Sequence, residues 1–282
     1  MTLLATAGAA IAVLLTGNLP WGPLISLNFR TAITWPWAVL PMTAWLAAWW
    51  MGISGRWFTG GEVRSGVRAR LNAGPLLPLT WIAALAAGLV GFAAIIALIV
   101  LMARLVSLPD GAPITTPAGM PMLTGLVLLA MQSVVAGMTE EAAFRGYMQS
   151  MVARRHGIAL AILAQGTLFG LLHAPNHPGA VLLMLPYYMF VSAVYGGLTW
   201  AAGSILPAIV LHAAGDTVVL ARWWLTGVPE WQIGPVHPAL VRQSGVDAAF
   251  IVSVLAWLLL TSASVAAFAA MQRWRTAGGR HV

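Results

Sequence analysis

Cysteine is absent from this 282-residue chain, and so is lysine. The first absence removes disulfides, thiolate metal sites and cysteine nucleophiles, while leaving the redox compartment open. Any nucleophile must be serine, threonine, a carboxylate or an activated water. The second absence makes all 14 basic residues arginine. Acidic residues number only seven, and charged residues of both signs make up 7% of the chain, against about a quarter in an ordinary soluble domain. The formal charge of +7 comes from scattered loop arginines with no basic stripe, so a nucleic-acid partner has no support. What is abundant is apolar surface. A hydrophobic content of 60% and a mean hydropathy of +0.86 exclude a water-soluble fold and predict an all-α, polytopic membrane protein.

A helix needs about 20 apolar residues to cross the hydrocarbon. Eight stretches approach that length: 2–18, 36–53, 77–104, 121–138 continuing to 155, 157–174, 179–201, 204–225 and 247–271. Proline, glycine and charge fill the separators, notably the arginine-rich 54–74 and the proline-rich 107–119. No internal repeat or long linker divides the chain, so 1–282 reads as a single integral membrane domain. The apolar N-terminus lacks a basic n-region and an A-x-A-like end before Asn18-Leu19-Pro20, which reads as a retained first helix. Arg56, Arg64, Arg68 and Arg70 fall in one loop, Arg154 and Arg155 in another, and Arg273, Arg275 and Arg280 in the tail. With eight spans these regions share one side. The positive-inside rule makes that side cytoplasmic, so both termini are expected in the cytoplasm of a multi-pass protein of the cell (plasma or inner) membrane. Trp35, Trp37, Trp49, Trp50, Trp57, Trp223, Trp224 and Trp231 sit near span ends, where an interfacial belt is expected.

Against this background a few ionisable residues lie within or beside apolar spans: Glu140, Glu141, Arg145, His173, His212 and Asp216. Such groups are costly at membrane depth and usually face a cavity or one another. Glu141 and Arg145, four apart on a helical face, are spaced for a salt bridge, which turns Glu140 elsewhere and suits it to act as a general base. Phe169 and His173 repeat the one-turn spacing before Pro175 stops the helix. His212 and Asp216 repeat it again, so the carboxylate is placed to orient the imidazole. At about 1.5 Å per residue, Glu140 stands roughly 21 Å above Arg154 and His173 roughly 25 Å above His156, a shared level.

These residues form three short patterns: Glu140-Glu141-Ala142-Ala143-Phe144-Arg145 reads EExxxR, Phe169 to His173 reads FxxxH, and His212 to Asp216 reads HxxxD. Together, in order and on successive helices, they resemble the motifs of the CAAX protease and bacteriocin-processing (CPBP, or Abi) family, which includes the Ras-converting CAAX prenyl endopeptidases. The resemblance covers about 125–220 within a core of about 121–225, the fourth to seventh helices. It implies an intramembrane glutamic endopeptidase in which Glu140 with His173 activates a water, and His212 and its partner stabilise the oxyanion. Prenyl-protein enzymes carrying Asn at the last motif position differ here, where Asp216 stands. An ionised Asp cannot donate to an oxyanion, so His212 is the expected donor and Asp216 its orienting partner. Glu141, Arg145 and Phe169 are expected to support the site. The implied partners are a membrane-associated or exported peptide or protein substrate and the lipid bilayer, and no cofactor is implied.

Two other readings stay open on the residues alone. Glu140, His173, His212 and Asp216 are all possible zinc ligands, although no HExxH is present, and a zinc-dependent membrane hydrolase is one alternative. A non-enzymatic transporter or immunity-type membrane protein using the same charges is the other. Elsewhere His177 reads as a surface loop histidine and His156 as a cytoplasmic flank, while Tyr187 and Tyr188 read as packing. Ser133 and Thr139 are expected to bond to backbone. Gly146, Gly170, Gly196 and Gly197 are expected to allow close helix contact, and His237 and His281 read as loop and tail residues.

Overall fold

A computed structural model describes residues 2–57, 60–111 and 113–278; Arg280 and His281 lie outside the described residues. Eleven α-helices follow in order: α1 Leu3–Asn18, α2 Trp21–Thr31, α3 Val39–Ile53, α4 Gly61–Leu71, α5 Pro78–Leu105, α6 Met122–Glu140, α7 Gln149–Leu172, α8 Val181–Ala202, α9 Leu206–Thr226, α10 Val241–Ser244 and α11 Ala248–Gly278. A π-helical segment, Glu141–Met148, joins α6 to α7. The described residues form no strand.

Six stretches are long and apolar enough to cross a membrane among the described residues: Leu3–Thr31, Pro78–Leu105, Met122–Leu172, Val181–Ala202, Leu206–Thr226 and Ala248–Ala277. The difference from the expected eight lies in two places. Val39–Ile53 has only 15 residues, about 22 Å of helix against about 30 Å of hydrocarbon. Residues 122–172 run on as one 51-residue stretch. That length is about 75 Å, more than twice the hydrocarbon thickness. It is interrupted at Gly157, whose φ of +82° is open to glycine and breaks the helix at the junction where the sequence separates its fourth and fifth spans.

Local signals explain the helix ends. Thr2 caps α1 by accepting from the Ala5 amide at 3.2 Å. Pro78 opens α5, where its missing N–H costs nothing. Asn72 ends α4 in a left-handed conformation and Gly203 does the same for α8.

The chain packs into two compact units, each assembled from three stretches. The first comprises 1–75, 114–161 and 204–221. Its core is a cluster of Trp21, Met42, Leu46, Trp49, Leu128 and Val135 with Leu71 and Ile205. Asn18 donates to the Thr139 hydroxyl at 2.7 Å and Thr139 donates to the Val135 carbonyl at 2.8 Å, so α1 is tied to the end of α6. The second unit comprises 76–113, 162–203 and 222–282. Here α5, α8 and α11 meet through glycines: a side chain at Gly91 would strike Val194, and one at Gly197 would press on Phe268. Arg104 closes the unit with an ion pair to Asp247 at 2.6 Å. Outward-facing positions are apolar, with Ile82, Leu123, Leu259 and Val265 all exposed, as hydrocarbon contact requires.

The tryptophan belt is only partly present. Trp35 and Trp57 are exposed, but Trp49 and Trp231 are buried. Each buried indole has found an internal acceptor. Trp49 donates to Thr16 Oγ1 at 3.2 Å and Trp231 to the Pro109 carbonyl at 2.6 Å.

Candidate active site

The EExxxR pattern falls where α6 gives way to the π-helical segment, Glu140 being the last residue of α6 and Glu141 the first of the π turn. Such segments are rare and tend to occur at functional sites. Both Glu141 and Arg145 are fully buried, with Arg145 Nη1 3.2 Å from Glu141 Oε1, the pair anticipated from their spacing. Burying either charge alone would be expensive, and each supplies what the other lacks.

The same Glu141 Oε1 accepts from His212 Nδ1 at 2.8 Å. This bond holds the ring with Nδ1–H toward Glu141 and Nε2 on the far edge. Around Nε2 stand Asp216 Oδ2 at 3.4 Å and Glu140 Oε2 at 3.7 Å. The two glutamates therefore do diverge, but onto opposite edges of one imidazole. Orientation of His212, expected from Asp216, comes by its shortest contact from Glu141. The one-turn spacing puts Asp216 on the same helix face as His212, yet it reaches Nε2 from the side, whereas Glu141 meets Nδ1 across the helix interface. Asp216 and Glu140 are the partly exposed members, their side chains 33% and 17% accessible against 7% for His212 and none for Glu141. Solvent therefore reaches the cluster at the carboxylates of Asp216 and Glu140.

What lets α9 approach is Gly137, one turn before the glutamates. A Cβ there would lie 3.0 Å from the Ala213 amide nitrogen and 3.1 Å from the Ile209 carbonyl oxygen. A Cβ there would press on that backbone, so Gly137 favours the close approach that sets His212 beside Glu141. The sequence carried a signal for it, a glycine at helical spacing ahead of EE, but one glycine among 29 does not stand out.

Phe169 and His173 belong to the second unit. His173 follows the last residue of α7, and its Nδ1 lies 2.8 Å from the Phe169 carbonyl oxygen. Donation there leaves Nε2 as the acceptor of the neutral ring. The ring stacks on Tyr188, centroids 4.4 Å apart and planes 30° apart, with Phe169 4.3 Å away on a tilted contact. The FxxxH spacing thus delivers both an aromatic wall and a backbone anchor.

Three residues around His173 escape the sequence reading. His177, expected at the surface, is 2% exposed. Its Nε2 lies 2.6 Å from the Tyr188 hydroxyl, and Trp231 packs edge-on against it at 4.3 Å. Burial, first of all, lowers the His177 pKa to about 4, so this ring is neutral at ordinary pH. Tyr188, read as packing, both stacks on His173 and bonds to His177, and its hydroxyl also lies 3.4 Å from Glu230. Trp231 covers His177 from the 227–240 segment. The signal was the proline pair around Asn176-His177, which reads as an exposed turn because only tertiary contacts reveal that a distant loop folds over it.

Other expectations were local and hold. Ser133 donates to the Leu129 carbonyl at 2.9 Å. Gly146 abuts the Leu71 carbonyl, and Gly170 abuts Leu185 and Tyr188.

Residues 121–218 match the family model described as type II CAAX prenyl endopeptidase Rce1-like. No curated protein and no solved structure matches the chain. The matched segment contains all three motifs, from Glu140 to Asp216. It also contains Gly137, the π-helical segment and Tyr188. Across that segment the chain is similar to the type II CAAX prenyl endopeptidases, and six of its described stretches are long and apolar enough to cross a membrane.

Proposed function

We propose that the protein is an intramembrane glutamic endopeptidase in which Glu140 is the general base for a water that attacks the scissile carbonyl. The observation that carries this reading is His212, fixed at Nδ1 by a fully buried carboxylate so that Nε2 faces the accessible Glu140. A separation of 3.7 Å is longer than a direct hydrogen bond, so a water beside Glu140 can meet both groups at the accessible edge. Glu140 takes a proton from that water, and the hydroxide forms a bond to the carbonyl carbon. His212, as the imidazolium, donates Nε2–H to the resulting oxyanion. As the C–N bond breaks, protonated Glu140 returns its proton to the leaving amine. Asp216 balances the charge of that imidazolium from the same edge.

His173 enters on its motif and on its own geometry. With Nδ1 committed to the Phe169 carbonyl, its Nε2 is an acceptor suited to help deprotonate water. No step in this reading needs a metal. The substrate is a membrane-associated or exported peptide or protein met in the cell membrane; the arginine distribution places both termini in the cytoplasm only with eight spans, and the six stretches found do not carry that orientation.

The test is substrate trapping. Membranes from cells expressing the wild type and Glu140→Gln are compared by proteomics, with chelator added to a parallel wild-type sample. The reading expects full-length substrates to accumulate with the variant and cleavage to survive chelation. Undiminished cleavage by Glu140→Gln or by His173→Ala removes the mechanism, and loss of cleavage on chelation, restored by zinc, replaces it with a metal-dependent one.

A further inference from the structure

We propose that the first unit holds a binding site for the phosphate headgroup of an anionic phospholipid, in a cavity between the ends of α3 and α4 and the start of α9. The cavity encloses about 410 Å³, and its lining includes Arg56 and Arg68 together with Trp50, Leu71, Pro75 and Leu206. This volume is in the range of sites that take small ligands. The inference does not rest on the peptidase reading, because none of these residues belongs to the catalytic constellation.

Two arginines line one concave space, and neither makes an ion pair or side-chain hydrogen bond among the described residues. The helix that carries Arg68 also carries Arg64 and Arg70 against a single acid, Glu62. Planar guanidinium forks match phosphate oxygens, and arginines in loops beside membrane spans attract anionic lipid. Trp50, Leu71, Pro75 and Leu206 are apolar or amphipathic, so a purely hydrophilic anion would leave them uncovered, whereas a headgroup continuing into glycerol and acyl chain would not.

Hydrogen bonds also hold the cavity in shape. Asn72, at φ +52°, turns the chain between the lining residues Leu71 and Ala73. The Asn72 carbonyl accepts from the Ile205 amide at 2.9 Å, and Ser204 Oγ donates to the Gly74 carbonyl at 2.9 Å. Arg154 donates to the Ala69 carbonyl at 2.8 Å. Three separate stretches, 69–74, Arg154 and 204–205, are thereby pinned together beside the space. The same frame touches the segment that carries Glu141 and Arg145. The Leu71 carbonyl lies where a side chain at Gly146 would collide at 2.8 Å, and the Tyr147 hydroxyl donates to the Ile53 carbonyl at 3.2 Å. A lipid seated there braces the π-helical segment from outside the reaction site.

The test uses the full chain in detergent, titrated with phosphatidylglycerol or phosphatidylcholine and followed by native mass spectrometry. One saturable phosphatidylglycerol adduct is expected, with phosphatidylcholine bound more weakly. Arg56→Gln and Arg68→Gln each weaken phosphatidylglycerol about fivefold, and Arg242→Gln, in the other unit, does not. Inorganic phosphate at equal concentration leaves the adduct in place. Both arginines are exposed, so the glutamine variants are expected to melt with the wild type without lipid. If they do not, the Arg56→Lys/Arg68→Lys double variant is used instead, and it must keep the preference for phosphatidylglycerol. Equal binding of the two lipids, wild-type affinity in the double glutamine variant, loss of preference in the lysine pair, or displacement by inorganic phosphate each overturns the proposal.

Discussion

Replacing Glu141 by glutamine leaves the fully buried Arg145 guanidinium without its counter-charge and the His212 Nδ1–H without its carboxylate acceptor. Breaking one side of a buried ion pair typically costs about 3–5 kcal/mol, because the surviving charge keeps its desolvation penalty. At roughly 2–4 °C per kcal/mol for a chain of this size class, that is a fall of about 6–20 °C in apparent Tm. Glu140→Gln is the internal control. Its carboxylate is 17% accessible and stands 3.7 Å from its imidazole partner, so its loss is expected to cost less than that of the fully buried Glu141. Thermal melts of both variants in one detergent, followed by tryptophan emission, make the comparison. A second variant separates charge from shape: Glu141→Leu/Arg145→Met removes both charges and is expected to recover much of the lost stability, as apolar replacement of buried pairs does elsewhere. Coincident melts for Glu140→Gln and Glu141→Gln, or a double variant no better than Glu141→Gln, would refute the assignment of Glu141 as the buried anchor.

Gly137→Ala places a methyl 3.0 Å from the Ala213 backbone nitrogen, and backbone cannot swing aside as a flexible side chain can. The expected result is about 1–3 kcal/mol of destabilisation and a loss of cleavage out of proportion to it, since α9 and His212 must move; an unchanged melt with full activity contradicts it. For His177 the pH dependence has a definite sign. Its folded-state pKa of about 4 lies below the ordinary 6.5, so the unfolded chain binds the extra proton first and stability falls as pH drops from about 6.5 to about 4. In His177→Gln that part of the slope should vanish from melts recorded between pH 7.5 and 4.5, and an identical slope would show that His177 is not the titrating group.

Several features were readable along the chain because they are short-range. The α-helical membrane class follows from apolar content alone, and the break at Gly157 falls between two spans already separated in the sequence. The Glu141–Arg145 pair, the Phe169–His173 contact and the placement of Asp216 beside His212 each join residues one turn apart. Helical spacing brings such pairs together whatever the rest of the molecule does. The count of spans was less legible, since a 15-residue helix and a kinked 51-residue one do not divide into lengths of about 20 residues.

Contacts between distant positions were a different matter. That Glu141, 71 residues from His212, holds the imidazole while Asp216 stands at its other edge depends on how closely α9 passes α6, and a single glycine sets that distance. His177 became a buried, neutral ring because Trp231 folds over it from 54 positions away (231 − 177). Residue type and one-turn spacing are encoded locally, so the amino-acid order specified the membrane class, the charged pairs and the three motifs. Which nitrogen each carboxylate meets, and which loop residue is shielded from water, are set by helix packing, which no local pattern records.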